Sequence, residues 1–232
     1  MAIVRNIPNY PDWKEEITFE DESGSVVRTY KYKGESAGRI VLDDSISLQA
    51  AGYALIDKDL RNAFEWLEDV EALYKEKGIT KKNEEPNIPD KDEGRRLKSL
   101  LISMCTIYGK CFTSADGRRV KLEKNNIDKE YIETHGDIME MRHNYAAHSG
   151  EKMIETGKIV LAITLDDPNE GQLMITTEID QPASIGIDDI NRIKELIMHL
   201  RDYVSNKSDQ LMKKICEDVL KVPPEEWLKM VK

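Results

Sequence analysis

The strongest constraint on the fold comes from four stretches in which apolar residues recur at intervals of three and four positions. Polar or proline-containing segments separate them, and each stretch is long enough for a helix of several turns. The apolar positions extend over 60–74, 97–112, 132–145 and 190–219. Because an amphipathic helix must bury its apolar stripe, four such helices predict a helical bundle.

Local signals indicate where these helices begin and end. Asp44 and Asp188 precede the first and the fourth stripe, where carboxylates favour a helix N-terminus. Gly78 and Gly150 follow the first and the third stripe, and glycine is a common helix terminator. The prolines at 223–224 must end the last helix.

Two further segments alternate between apolar and polar residues, as half-buried strands do. We predict a small antiparallel β meander over 1–42 that packs on the core, and its alternating apolar residues are Ile17, Phe19, Val27, Tyr30, Tyr32, Ile40 and Leu42. A helical domain is predicted over 43–222, with a β hairpin at about 158–179. Residues 223–232 are expected to form a C-terminal tail. The predicted fold class is therefore mainly α, with an N-terminal β meander and an inserted hairpin, or α+β overall.

Composition excludes several classes of protein. Apolar residues nowhere run for the roughly eighteen positions that a membrane-spanning helix needs, so we expect a soluble chain that does not bind a membrane. Residues 1–13 contain prolines and an aspartate instead of a basic patch followed by an apolar core. No secretory signal is therefore expected, and the predicted location is cytoplasmic.

The chain offers few ligands for a metal. Its cysteines, Cys105, Cys111 and Cys216, have no CxxC spacing, and its four histidines fit no HExxH or comparable zinc pattern. Cys105 and Cys111 lie within one apolar stripe, which favours buried thiols over disulfides or metal ligands. We expect no metal centre and no other cofactor.

The formal charge of −10 argues against an anionic partner, but the charge is unevenly distributed. From Gly94 to Lys124 there are eight basic and two acidic residues, a balance of +6, which leaves −16 for the rest of the chain. Such a stretch is compatible with phosphate binding, and a solvated helix face and loop explain it equally well. The candidates for RNA binding are Arg95, Arg96, Lys98, Arg118, Arg119 and Lys121.

The segment from Met139 to Gly150, with the sequence MEMRHNYAAHSG, concentrates chemically active side chains at a helix end. Arg142 and His148 are about 120° apart around an ideal helix and about 9 Å apart along it. They meet only if the helix loosens or if a second copy of the chain contributes to the same cleft. Because histidine exchanges protons near neutral pH and arginine binds phosphate, the pair suits metal-independent phosphodiester cleavage.

These residues resemble the motif of the HEPN superfamily, in which an arginine and a polar residue are followed, after a few positions, by a histidine. Arg142, His143 and His148 occupy those places, and the ending Ala147-His148-Ser149 is similar to the form common in bacterial members. Outside the motif, the resemblance extends only to the number and placement of helices over roughly 45–220. The β segments are not part of the family core.

The resemblance implies an HEPN-like helical bundle, usually dimeric, in which the motifs of two protomers line one cleft. Many members are metal-independent endoribonucleases of toxin–antitoxin, abortive-infection or other phage-defence systems. By this match Arg142 and His148 take the catalytic places and His143 the polar place beside the arginine. Asn144 and Tyr145 are neighbours that support the site. The implied partners are RNA, a second copy of the chain, and an antitoxin or defence-system protein.

The same residues also have a purely structural interpretation. Arg142 and His148 fit a polar helix terminus, in which the histidine interacts with the helix dipole and the arginine pairs with Glu140 or another acid. His135 and His199 have no constellation of reactive residues around them, and we treat both as ordinary. The functional alternative to a ribonuclease is a non-catalytic scaffold that binds a nucleotide, RNA or a protein, which the acidic total charge and the β additions favour.

Overall fold

The computed structural model describes residues 2–19, 25–76, 91–143, 156–163, 173–180 and 185–231. It is a mixed α+β protein that divides into two compact units. One unit comprises Met1–Leu48 and Leu211–Lys232, and the other comprises Gln49–Gln210. Residues after 210, which the sequence analysis assigned to the helical domain and a tail, thus group with the N-terminal strands.

The first unit contains a four-stranded antiparallel sheet in which the strands follow one another in chain order. Its strands are β1 (Ala2–Ile7), β2 (Tyr10–Phe19), β3 (Val26–Tyr32) and β4 (Glu35–Ala37). Lys33 and Gly34 both have positive φ, 50° and 91°, as the tight turn of a two-residue hairpin requires. The predicted meander is therefore confirmed, although it gains β1 and does not extend to Ile40 and Leu42.

The four predicted long helices are all present. The helices are α1 (Ser45–Glu76), α2 (Lys91–Cys111), α3 (Ile132–Arg142), α4 (Ile187–Val219) and the short α5 (Pro224–Leu228). The third helix was expected to begin near Asn126 or Asp128, but residues 124–126 and 129–131 form two 3-10 turns and α3 begins at Ile132. Helix α5 lies in the segment predicted as a tail, and a proline at its first position fits the start of a helix.

The start of α1 shows why the sequence signal for this helix was reliable. The Asp44 carboxylate accepts hydrogen bonds from the backbone N–H groups of Ile46 and Ser47 at 2.9 and 3.1 Å, which satisfies two donors of the first turn. The Ser47 hydroxyl also donates to Asp44. This bond and the backbone bonds lower the pKa of Asp44.

The core of the second unit forms where the apolar stripes of α1, α2, α3 and α4 meet. Its fully enclosed side chains include Ile56, Leu60, Leu67, Met104, Tyr108, Ile138, Leu196 and Leu200. The Tyr74 hydroxyl donates to the backbone carbonyl of Ile185 at 2.8 Å, so even an aromatic residue at the edge of this core has a polar partner. The core thus follows the helix stripes read from the sequence.

The same unit contains an antiparallel hairpin of β5 (Thr156–Ile163) and β6 (Leu173–Asp180), as predicted. Cys105 and Cys111 are buried free thiols on α2, and Cys216 is an exposed free thiol on α4. Of the helices that the structure describes, none combines the length and the apolar character that a membrane crossing requires.

A pair of neighbouring residues on α1 tests this assignment of the core. Ile56 is fully buried, whereas the adjacent Leu55 is 44% exposed. Ile56→Ala should lower the free energy of unfolding by about 2–5 kcal/mol, because it leaves a cavity in the packed core. Leu55→Ala should change it by about 1 kcal/mol or less, and alanine suits a helix in both cases. Urea denaturation of the two variants measures the difference, and equal effects would contradict the assigned core.

Candidate functional site

The motif residues lie at the C-terminal end of α3. Helix α3 ends at Arg142, which is half-buried, and His143 follows as an exposed residue at its C-cap. The backbone N–H of His143 donates to the carbonyls of Met139 and Glu140, so the helical hydrogen bonding continues to this point. The proposed catalytic His148, and the supporting Asn144 and Tyr145, lie outside the described residues, and their roles stay predictions.

Arg142 is seated directly on α2 at a position that has no side chain. A Cβ added to Gly109 would lie 2.7 Å from the Nε of Arg142 and closer still to its Cδ, so any larger residue would displace the arginine. Glycine inside a helix costs stability relative to alanine, and here it permits this close approach. The sequence analysis did not single out Gly109, although a glycine within a strongly apolar helix stripe signals such a contact.

A second contact between α2 and α3 joins Tyr108 and His135. The Tyr108 hydroxyl is 2.8 Å from Nδ1 of His135, and the Phe112 ring lies 4.6 Å from the imidazole, centroid to centroid. Burial lowers the pKa of His135, and the positive charge of Lys124 adds to this effect. His135 precedes Arg142 by two helical turns, so both residues belong to the side of α3 that meets α2. The sequence analysis treated His135 as ordinary, because its partner is distant in the chain.

A buried carboxylate draws three basic side chains to the C-terminal end of α2. Asp59 of α1 is 1% exposed, and its oxygens lie 2.9 Å from the Nζ atoms of both Lys58 and Lys110 and 3.7 Å from the guanidinium of Arg118. Burial alone would raise the pKa of Asp59, but the two lysines outweigh it and the net shift is downward. Such a charge is tolerated in the interior only because it is paired.

The position of Arg118 corrects one of the RNA-binding candidates. Its side chain is 4% exposed, and its guanidinium donates to the carbonyls of Lys110 and Thr113, the latter at 2.9 Å. These carbonyls lie at and just after the C-terminal end of α2, where a basic group caps a helix favourably. Because Arg118 serves as this cap and faces Asp59, it cannot reach a phosphate, and we remove it from the candidate RNA surface.

The remaining basic candidates form two groups at opposite ends of α2. Arg95 and Lys110 are separated by about 22 Å along the helix. At the first end, Arg95 pairs with Asp92 at 3.1 Å, Arg96 is exposed and Lys98 is half-buried. At the other end, Arg119 is exposed and Lys121 pairs with Glu123 at 3.2 Å. The second group shares the end of α2 on which Arg142 is seated, so this end is the better candidate for an anion-binding surface.

The described residues provide no metal site, since no three His, Cys, Asp or Glu side chains among them converge on one point. The thiols of Cys105 and Cys111 are also poor nucleophiles, because burial raises the pKa of each to about 12. Arg142 lies at the C-terminal end of α3, and the His135–Tyr108 pair lies two helical turns earlier, in the first turn of that helix. Among the described residues, the C-terminal end of α3 therefore offers an arginine, a side chain suited to binding an anion.

Comparison with protein-family models, with curated proteins and with solved structures found no match to this chain.

Two glycines in helices test the seating of Arg142. Gly136 of α3 has no atom within 4 Å of an added Cβ, so Gly136→Ala should stabilise the fold by about 0.5–1 kcal/mol through helix propensity. Gly109→Ala should gain less than Gly136→Ala, because the added methyl group overlaps the flexible end of the Arg142 side chain, which must move. In the double variant Gly109→Ala/Arg142→Ala this difference should largely disappear once the effect of Arg142→Ala alone is subtracted. Chemical denaturation measures the free energies of unfolding of wild type and the four variants, and a gain from Gly109→Ala equal to that from Gly136→Ala would contradict the contact.

The Tyr108–His135 pair predicts a pH dependence. Because folding lowers the pKa of His135 below its ordinary 6.5, the folded state favours the neutral ring. The stabilisation is complete above about pH 6.5 and is lost as the pH falls through the lower folded-state value. Titration of the His135 ring by NMR should give a pKa below 6.5, and His135→Gln should reduce the loss of stability between about pH 7 and pH 5. A folded-state pKa at or above 6.5 would contradict the pairing.

Proposed function

We propose that the chain is a metal-independent endoribonuclease of the HEPN type, acting as a homodimer. The observation that supports this most directly is the contact of Arg142 with Gly109 at the helix end where the motif continues toward His148. An arginine at this position can bind a phosphate through its planar guanidinium group. The basic residues at the same end of α2 supply a favourable potential for an RNA backbone.

In this proposal Arg142 neutralises the charge that develops on the phosphate oxygens, and His148 acts as general base or general acid. The ribose 2′-oxygen attacks the adjacent phosphorus, and the bond from phosphorus to the 5′-oxygen breaks. The 2′-hydroxyl proton goes to the base, and the leaving 5′-oxygen receives a proton. The products are a cyclic phosphate end and a 5′-hydroxyl end, and no metal is needed.

The two copies of the motif would share one cleft, with Arg142 of one protomer acting beside His148 of its partner. This arrangement follows from geometry, because the two side chains point about 120° apart on one regular helix. The dimer contact that brings the motifs together would involve the surface near Met141 and Tyr145. A role in toxin–antitoxin or phage-defence systems, with an antitoxin as a protein partner, belongs to the same proposal.

The second candidate function is a scaffold of the same fold that binds RNA or a protein without turnover. The specific observation in its favour is that Lys110 and Arg118, two of the eight residues in the basic stretch, face the buried Asp59 and leave less positive charge for RNA. This candidate predicts binding without products.

Cleavage of a mixed RNA pool in the presence of a chelator tests the enzymatic proposal. Wild-type protein should release fragments with cyclic phosphate ends, and Arg142→Ala and His148→Ala should each reduce the rate by about 100-fold or more. Arg28→Ala is the matched control, because Arg28 is a half-exposed arginine of β3 that forms a surface ion pair with Glu15. If wild type and His148→Ala are equally inert but bind RNA, the scaffold replaces the enzyme.

A further inference from the structure

The hairpin of β5 and β6 exposes a continuous apolar face. Leu161 lies directly opposite Ile175 in the register, and alternate residues of each strand share the same side. The large aliphatic side chains on this side are between 57% and 74% exposed: Ile159, Leu161, Ile163, Leu173, Ile175 and Ile179. Thr177 and Gly157 complete the face, so its described part carries no charge.

The other side of the hairpin has a different composition. It pairs Lys158 with Glu178, Val160 with Thr176 and Ala162 with Met174 in the same register. Val160 and Thr176 are half-buried, whereas Met174 is 58% exposed. This side is therefore mixed, with one pair of opposite charges and fewer large aliphatic side chains than the first side.

A two-stranded hairpin by itself is marginally stable in water, and an additional layer on its hydrophobic face is what stabilises such a unit. Contiguous exposed apolar surface of this kind marks an interaction site in a soluble protein. Because the face is flat and uncharged, a partner that covers it must present a similar aliphatic surface. Charged or polar ligands gain nothing from it.

We propose that a second copy of this chain covers the aliphatic face, so that two hairpins stack face to face around a two-fold axis. Each copy supplies the matching surface at the same concentration, and the same patch meets itself, as a two-fold interface requires. Two stacked hairpins form a small four-stranded sandwich with the layers about 10 Å apart. This self-association does not depend on the ribonuclease activity proposed above.

The area of the aliphatic face agrees with a second copy of the chain as the partner. Six aliphatic side chains that are about two-thirds exposed offer roughly 600 Å² per copy, or about 1,200 Å² for the pair, which is the lower limit of specific interfaces. The interaction should therefore be of moderate affinity. It should also be sensitive to a single polar residue at the centre of the face.

Two double variants at adjacent register positions test the proposal by analytical ultracentrifugation. Leu161→Lys/Ile175→Thr places the changes on the aliphatic side, and Ala162→Lys/Met174→Thr places the same new residues on the opposite side. Wild type and the second variant should form the same assemblies at about 100 µM, whereas the first variant should lose the association step that the hairpins provide, with the dissociation constant of that step raised by about 100-fold or more. Circular dichroism checks that both variants are folded.

A wild-type protein that stays monomeric at about 100 µM would overturn the proposal, and so would two variants that both associate to the same size as wild type. If both variants are monomeric, hydrogen exchange of the wild-type protein decides without any substitution. Protection of the hairpin amides should then fall when the protein is diluted below its dissociation constant. If the protection of the hairpin amides is the same above and below the dissociation constant, the stacked-hairpin interface is overturned.

Discussion

The Arg142 side chain of α3 lies across the backbone of α2 at Gly109, where no side chain stands in its way. Glycine lets a neighbouring side chain approach the helix backbone this closely. Here that neighbour is Arg142, whose Nε would lie 2.7 Å from a Cβ at this position. The Tyr108–His135 hydrogen bond and the Phe112–His135 ring contact lie on the same interface. The position of the motif arginine is thus a consequence of how two core helices approach.

The second organising feature is the buried Asp59. It pairs with Lys58, Lys110 and Arg118, and the last of these also caps α2. Removing Asp59 from this cluster would leave the buried Arg118 without its counter-charge, which costs more than the pair itself contributes. Two of the eight basic residues in the 94–124 stretch therefore serve the fold, and the positive charge available to a ligand is smaller than the sequence count suggests.

Most of the fold was predictable because it depends on periodicity. The apolar stripes of α1, α2 and α4 repeat over many turns, and the alternation in β5 and β6 is regular. In these segments the spacing of apolar residues therefore identifies the type of element correctly. The edge strand β1 and the short α5 were missed, because their residues are mostly exposed and carry no burial pattern. The separation of the basic residues into two groups follows from the length of α2, because the two groups lie at its opposite ends. The apolar stripe over 97–112 already predicted a long helix there.

The site was less predictable than the fold. The motif was visible as a local cluster in the sequence. The three contacts described around the ends of α2 and α3, however, join residues that are far apart in the chain: Gly109 with Arg142, Tyr108 with His135, and Asp59 with Arg118. Nothing in local composition distinguishes Arg118, which is buried, from Arg119, which is exposed. Only the tertiary position of Asp59 distinguishes the two arginines. In the same way, only the tertiary fold brings Tyr108 to His135.

The central claim is that Arg142 of one protomer acts with His148 of its partner in a shared cleft. Mixing inactive Arg142→Ala protein with inactive His148→Ala protein, and then allowing the subunits to exchange, tests this claim directly in a ribonuclease assay. Half of the dimers in an equal mixture are mixed, and each regains one complete pair out of two, so the mixture should recover about a quarter of the wild-type rate. An exchanged mixture that stays inactive, beside an active wild-type protein, would contradict the shared site.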